Sequence, residues 1–473
     1  IGRTLGPAET RGPLTLTPIE FVQTEYSLRP ERVEAEEGRL RVPLWHGREG
    51  PDSIEIHFVR FPSTASDPRP PVVYLAGGPG GSGTYSAAGD RFDLFQTMRA
   101  AGDVIALDQR GVYLTRPYLV CPDSWDYPLD RPADPATRSE VIAPFLERCA
   151  AAWADSVDLD AYNTEQSAED LDAVRRALGA EQLSLWGISY GTHLALAYIR
   201  RHPDRVHRAV LAGVEGPDHT YKLPSDLDRV LLRVDSAIKA DPRARAAVPD
   251  LAGSVRDLVQ RLRAEPAAVP VEDPETGETR TVVVGPLDVQ GAVFGALGER
   301  EDIAQIPALA APVFAGDLTE LARAAYQNRL GNRALAMSFA MDCASGATAE
   351  RLALIERQAR TAILGEAGTA SLSADCALWP AYDLGDDFRG PVAGDMPVLF
   401  ISGTLDARTP PSNAEEVRAG FPDSHHLILE GGSHDDDLFL SDRRIPGLIR
   451  DFMRGEPPAV SRITLPPIQF ELP

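Results

Sequence analysis

Seven short apolar runs, each bounded by Gly, Pro or Asp, punctuate the chain at 54–61 (IEIHFVRF), 71–76 (PVVYLA), 103–108 (DVIALD), 183–187 (LSLWG), 207–213 (HRAVLAG), 397–402 (PVLFIS) and 425–430 (HHLILE). Several are apolar almost throughout, the pattern of strands buried on both faces of a parallel sheet. Between them the apolar spacing changes to three and four. Residues 167–180 (SAEDLDAVRRALGA) predict a helix capped by Ser167 and stopped at Gly179, and 192–202 predict another that ends before Pro203. Strand and helix in alternation imply a mostly parallel, doubly wound α/β sheet with right-handed crossovers.

The alternation fails between about Pro217 and Asp395. Residues 223–240, 248–266 and 347–364 carry helical patterns, and 269–284 (VPVEDPETGETRTVVV) reads as a hairpin. An insertion of roughly 180 residues between two sheet strands is too long for a loop. It predicts a large, mainly helical cap, dividing the chain into a core at 1–216, a cap at 217–395 and the rest of the core at 396–473. The Pro- and Gly-rich ends, up to Pro18 and after Pro457, are expected to be extended or poorly ordered.

Composition narrows the function classes. A formal charge of −23 argues against nucleic acid and anionic membrane as partners, because both need a basic face. No apolar run reaches the roughly 18–20 residues of a membrane span. The chain starts at Ile1 without a leader-like segment, which fits a targeting peptide removed before this numbering. The four cysteines permit three pairings, and their spacing favours Cys121 with Cys149 and Cys343 with Cys376. Disulfides would mean a secreted or periplasmic protein, free buried thiols a cytoplasmic one. No CxxC or Cys/His cluster suggests a metal.

The candidate chemistry centres on Gly187-Ile188-Ser189-Tyr190-Gly191, a G-x-S-x-G placed where a buried strand gives way to a helix. Such a turn strains its corner residue, exposes the serine hydroxyl and needs glycine two positions to each side. A serine is a poor nucleophile without a base and an acid to orient that base. In this fold they follow in the order Ser, acid, His. Asp406 lies just past the strand at 397–402 and His434 just past that at 425–430, so Ser189, Asp406 and His434 are the candidate triad. His425 and His426 alternate across a strand and read as structural. His193 reads as a packing residue; His219 follows a strand end near the site, and lining the pocket is the lesser of its readings.

The loop Gly77–Gly83 (GGPGGSG) has two readings. Gly78, Gly80 and Gly83 match the dinucleotide fingerprint, but the ribose-binding acid due about 20 residues on is missing. Asp108 comes 25 residues after the last glycine. Alternatively, the loop aims backbone N–H groups at the oxyanion of an acyl-transfer intermediate. Gly78 and Tyr190 are then the expected donors, and the chain needs no cofactor.

GGPGGSG, DQRG at Asp108–Gly111, GISYG and the closing PVLFISGTLDARTP with its histidine together resemble the prolyl aminopeptidase and tripeptidyl aminopeptidase family of α/β-hydrolases. The likeness covers about residues 50–455, and Cys376-Ala-Leu-Trp379 is similar to a C-x-x-W of its secreted branch. It implies a serine exopeptidase acting at free N-termini of peptides, with cap acids holding the substrate ammonium. Glu215 and Asp342 are the candidates for that role. Tyr113, Thr115 and the three acids after His434 depart from the family pattern at the pocket. A carboxylic ester hydrolase with the same triad is the first alternative, a dinucleotide-binding oxidoreductase the second, and a catalytically silent binding protein the third.

Overall fold

The computed structural model describes residues 2–24 and 30–473. Its strands in chain order are β1 (Gly2–Thr4), β2 (Glu9–Arg11), β3 (Leu14–Val22), β4 (Arg32–Pro43), β5 (Ser53–Phe61), β6 (Val72–Leu75), β7 (Val104–Asp108), β8 (Leu183–Ser189), β9 (Val206–Val214), β10 (Ala267–Glu272), β11 (Thr279–Val284), β12 (Val398–Gly403), β13 (Ser424–Glu430) and β14 (Arg462–Thr464). Twelve form one sheet in the order β1-β3-β4-β5-β7-β6-β8-β9-β12-β13-β14, with β2 on β3. From β7 to β14 every pairing is parallel. The N-terminal strands are antiparallel.

The central strands lack alternation because both faces are covered. Val73 and Leu75 of β6, Ile105 and Leu107 of β7, and Leu183 and Leu185 of β8 enter one hydrophobic cluster. Val72 and Tyr74, Val104 and Ala106, and Trp186 and Ile188 enter the cluster on the opposite face. Each fully buried large side chain contributes roughly 1.5–3 kcal/mol, so this sandwich fixes the sheet that presents the loops.

All seven predicted strands are present. Of the two expectations for the ends the extended one holds: Ile1 lies outside the described residues, Leu14–Val22 is a nine-residue strand and Arg462–Thr464 a short one. Leu14 and Leu16 are buried on one face of the sheet and Ile19 and Phe21 on the other, so the burial changes face at Thr17–Pro18 and leaves no single alternation to read. The first predicted helix also starts earlier, over Thr164–Ala177. Asn163 rather than Ser167 is its cap, accepting from the backbone of Gln166 at 3.0 Å.

Between β9 and β12 the chain forms helices and the β10–β11 hairpin. Its first part builds a hydrophobic cluster of its own, which also takes in Leu405 and Ala407 and packs against Ile468, Phe470 and Leu472 of the C-terminal tail. The helix Ala336–Ser345 behaves differently and buries Ala336, Met337, Ala340 and Met341 in the core cluster beside the sheet. Both disulfides are formed, Cys121–Cys149 and Cys343–Cys376. Among the described residues no helix is long and apolar enough to cross a membrane, and none form a His/Cys/Asp/Glu group able to hold a metal.

Candidate active site

Strand order brings the chemistry together. β6 and β8 are parallel neighbours with Leu75 opposite Gly187, so the glycine loop and Ser189 leave the sheet side by side. β9, β12 and β13 continue in the same direction, and the loops bearing Glu215, Asp406 and His434 emerge at that same edge. Ligands of open α/β sheets bind outside the carboxyl ends of the strands.

Ser189 ends β8 and caps the helix Tyr190–Arg201, with φ 53° and ψ −127°. A left-handed φ at a non-glycine residue is strained, and the flanking glycines allow it. A Cβ at Gly191 would come within 2.0 Å of the Leu75 carbonyl oxygen, and one at Gly187 within 2.7 Å of that of Gly191. Thr192 ties the corner to the next strand: its hydroxyl donates to the Ser189 carbonyl at 2.7 Å and accepts from the Glu215 N–H at 2.8 Å.

The glycine loop lies against this corner. A Cβ at Gly77 would sit 3.0 Å from Cβ of Ser189, and Gly78 has φ 118°. Behind the loop is a buried polar anchor that sequence reasoning missed. Asp108 accepts from the Ser82 hydroxyl at 2.5 Å and the Thr84 N–H at 3.1 Å, and its other oxygen lies 2.9 Å from Nδ1 of His57. Burial opposes the charge on His57, but the hydrogen bond to Asp108 and the Glu37 carboxylate 3.3 Å from Nε2 raise its pKa above the ordinary value. The Ser338 hydroxyl, from the insertion, donates to the Pro79 carbonyl at 2.7 Å. The rest of DQRG is internal too. Gln109 donates to the Ala76 carbonyl at 3.2 Å, and Arg110 makes two 2.7 Å bonds to Asp170. With its carboxylate consumed in this way, Asp108 is not free for a ribose, so the dinucleotide reading loses its last acid.

Asp406 is fully buried. One carboxylate oxygen accepts from the backbone N–H groups of Arg408 and Thr409, both at 2.8 Å. The other accepts from the Thr409 hydroxyl at 2.6 Å and lies 2.9 Å from Nδ1 of His434. Burial alone would raise its pKa; the charge and hydrogen bond of His434, with Thr409, reverse this and hold it at about 2. Thr409 was missed as a site residue, although Asp-x-x-Thr is a readable turn signal. Its hydroxyl is also 3.0 Å from His434 Nδ1. Nδ1 thus faces the acid, which leaves Nε2 for the substrate side.

Ser189, Gly78 and His434 line one cavity of about 630 Å³. Among the described residues, no hydrogen bond joins the Ser189 hydroxyl to His434. Such contacts commonly tighten only when substrate binds.

The two candidate ammonium acceptors differ. Glu215 lines the cavity, but Lys222 donates to its carboxylate at 2.5 Å. Burial would raise the Glu215 pKa; Lys222 and His193 lower it, so it is ionised and internally paired. Asp342 is not among the residues described as lining the cavity, and burial together with the Glu215 charge pushes its carboxyl well above the usual range. Lys222 gave no sequence signal beyond being one of two lysines. His219 does not line the cavity either; it is buried, accepts from the Gly216 N–H at 3.0 Å and pairs with Glu416 at 3.2 Å. His193 is held between the Gly216 carbonyl and Ser345, each at 3.1 Å. His426 sits between Glu415 and Ser402.

Serine protease Hip1 of Mycobacterium tuberculosis is 33% identical over 190 residues, covering 38% of this chain and 36% of that protein. The chain thus aligns with little more than a third of that relative's length. Tripeptidyl aminopeptidase of Streptomyces lividans is 26% identical over 429 residues, 84% of this chain and 77% of that one. Proline iminopeptidase of Neisseria meningitidis is 26% identical over 161 residues, 34% of this chain and 37% of the other. The model of the alpha/beta hydrolase fold family matches residues 70–437, and the chain belongs to that family.

Proposed function

We propose that this protein is an exported serine aminopeptidase that removes one or a few residues from the free N-termini of peptides, with residues 217–395 as a cap over the cleft. The observation carrying the reading is the cavity shared by Ser189, on its strained corner, and His434, whose far nitrogen is held by the buried Asp406. His434 takes the Ser189 proton as the hydroxyl attacks the acyl carbon, and Asp406 stabilises the resulting imidazolium. The N–H groups of Gly78 and Tyr190 hold the oxyanion. The imidazolium then protonates the leaving amine, and water resolves the acyl-enzyme by the reverse route. No step needs a cofactor. The relatives' names support the peptide substrate, and the two disulfides support export to an oxidising compartment.

A peptide panel with free and acetylated N-termini, followed by mass spectrometry, tests this. Cleavage confined to free N-termini is expected; equal cleavage of both overturns the exopeptidase reading. A second reading, hydrolysis of carboxylic esters, is favoured by one observation: Lys222 already neutralises Glu215, the acid expected to hold an ammonium. Turnover of short acyl esters without cleavage of alanine or proline anilides would select it.

A further inference from the structure

Three cationic side chains border the catalytic cavity: Arg91, Lys222 and Arg408. Two are neutralised by the chain itself. Lys222 is bonded to Glu215. Arg91, buried beneath the loop after His434, binds Asp435, binds Asp436 at 2.6 Å, and also meets the Tyr74 hydroxyl.

Arg408 is different. Its backbone N–H serves Asp406, two residues earlier in the same loop. Its guanidinium enters no hydrogen bond or ion pair among the described residues, and its Nε is shielded from solvent without a partner. A glycine makes room for the guanidinium itself: a Cβ at Gly298 would lie 2.5 Å from a terminal nitrogen of Arg408. Glu299, a carboxyl that the Arg408 charge reaches, does not supply the missing charge. Burial and the neighbouring Asp435, Asp437 and Asp436 push it up to about 8 despite Arg408, so it is largely protonated at neutral pH. Asp90, the remaining charged residue of the lining, is exposed.

A guanidinium offers five N–H donors in a rigid fork matched to a carboxylate. Holding it partly desolvated and unpaired at the edge of the cavity is costly, and a docking anion relieves that cost. We propose that Arg408 is the specificity residue of this cavity and binds a carboxylate of the substrate, either a terminal carboxylate of a short peptide or an acidic side chain near the scissile bond. The inference rests on the hydrolase reading above but not on its preference for peptides over esters.

The test compares kcat/KM for matched substrate pairs in the wild type, Arg408→Gln and Arg408→Lys. One pair is a short peptide with a free or amidated C-terminus, the second exchanges Glu for Gln beside the scissile bond, and the third is an acyl ester ending in a carboxylate or its amide. Fluorophosphonate titration of Ser189 fixes the concentration of competent enzyme, so misfolding does not enter the ratio. The wild type should prefer the carboxylate member of at least one pair by about tenfold or more, the size of a charge-assisted hydrogen bond. That ratio should fall to about one in Arg408→Gln and be partly kept in Arg408→Lys. The pair showing the effect identifies the source of the carboxylate. Ratios near one for every pair in the wild type, or a preference unchanged in Arg408→Gln, would overturn the proposal. If peptides are not cleaved but the ester pair discriminates through Arg408, the peptidase reading fails and this one stands.

Discussion

The backbone N–H of His434 donates to the carbonyl of Gly298 at 3.2 Å, joining the base of the candidate triad directly to the insertion. The hydroxyl of Ser433 donates to the same carbonyl at 2.7 Å. The seat of the insertion on the core therefore sets where the imidazole stands. Ser433→Ala removes one of these two bonds and is expected to lower kcat by about three- to tenfold, with a stability loss of about 1 kcal/mol. Steady-state kinetics and thermal unfolding would check it. A loss of stability with unchanged kcat would show that the contact is structural only.

Thr409 touches both members of the candidate acid–base pair, through its hydroxyl on Asp406 and its approach to His434 Nδ1. Thr409→Val keeps the shape but removes the donor, leaving a buried carboxylate short of one hydrogen bond. We expect kcat to fall by about tenfold, at a cost of roughly 2 kcal/mol or less, and Thr409→Ser to restore most of it. The relevant readout is the acid limb of the kcat/KM profile against pH. A displaced limb in Thr409→Val means the threonine acts through the histidine.

Asp108 should prove an activity determinant although it lies outside the cavity lining. It holds the end of the glycine loop, the proposed oxyanion loop, through Ser82 and Thr84 and faces the buried His57. Asp108→Asn leaves His57 with a weaker partner and the loop with looser anchorage. The expected loss is about 2–3 kcal/mol of stability, together with slower fluorophosphonate labelling at temperatures where the variant is folded. Labelling at the wild-type rate would separate the anchor from the chemistry.

Glu299 gives the protein a specific pH dependence. In the unfolded chain its carboxyl ionises near the ordinary 4.5, while in the fold burial and Asp435, Asp437 and Asp436 hold it up to about 8. Between those values the native state binds more protons than the unfolded one, so stability falls as pH rises and the penalty is complete above about 8. Glu299→Gln should raise the melting temperature at pH 8 by roughly 2–4 °C and change it little at pH 4.5. Equal shifts at both pH values would remove the carboxyl as the cause.

Much of this was legible along the chain because burial on both faces of a sheet leaves continuous apolar runs. β6, β7 and β8 are such runs, and Ser189, Asp406 and His434 fall at strand ends where chain order alone orders the candidate triad. β4 was invisible because one side faces solvent and Gly38 interrupts the alternation; the glycine makes room for the Phe58 ring, which a Cβ would meet at 2.2 Å. The partners of the site were harder still. Asp108 meets His57 because the two are paired across β5 and β7, 51 residues apart. Lys222 meets Glu215 through the turn that leaves β9, seven residues on, and Gly298 meets His434 only after the insertion has folded back. Spacing along a sequence carries no record of those contacts.

The most direct measurement is the site of covalent labelling. After reaction with a fluorophosphonate, intact-mass and peptide mapping should find a single adduct on Ser189, and Ser189→Ala should lose both the adduct and all hydrolysis. An adduct on another residue, or hydrolysis retained by folded Ser189→Ala, would contradict the account.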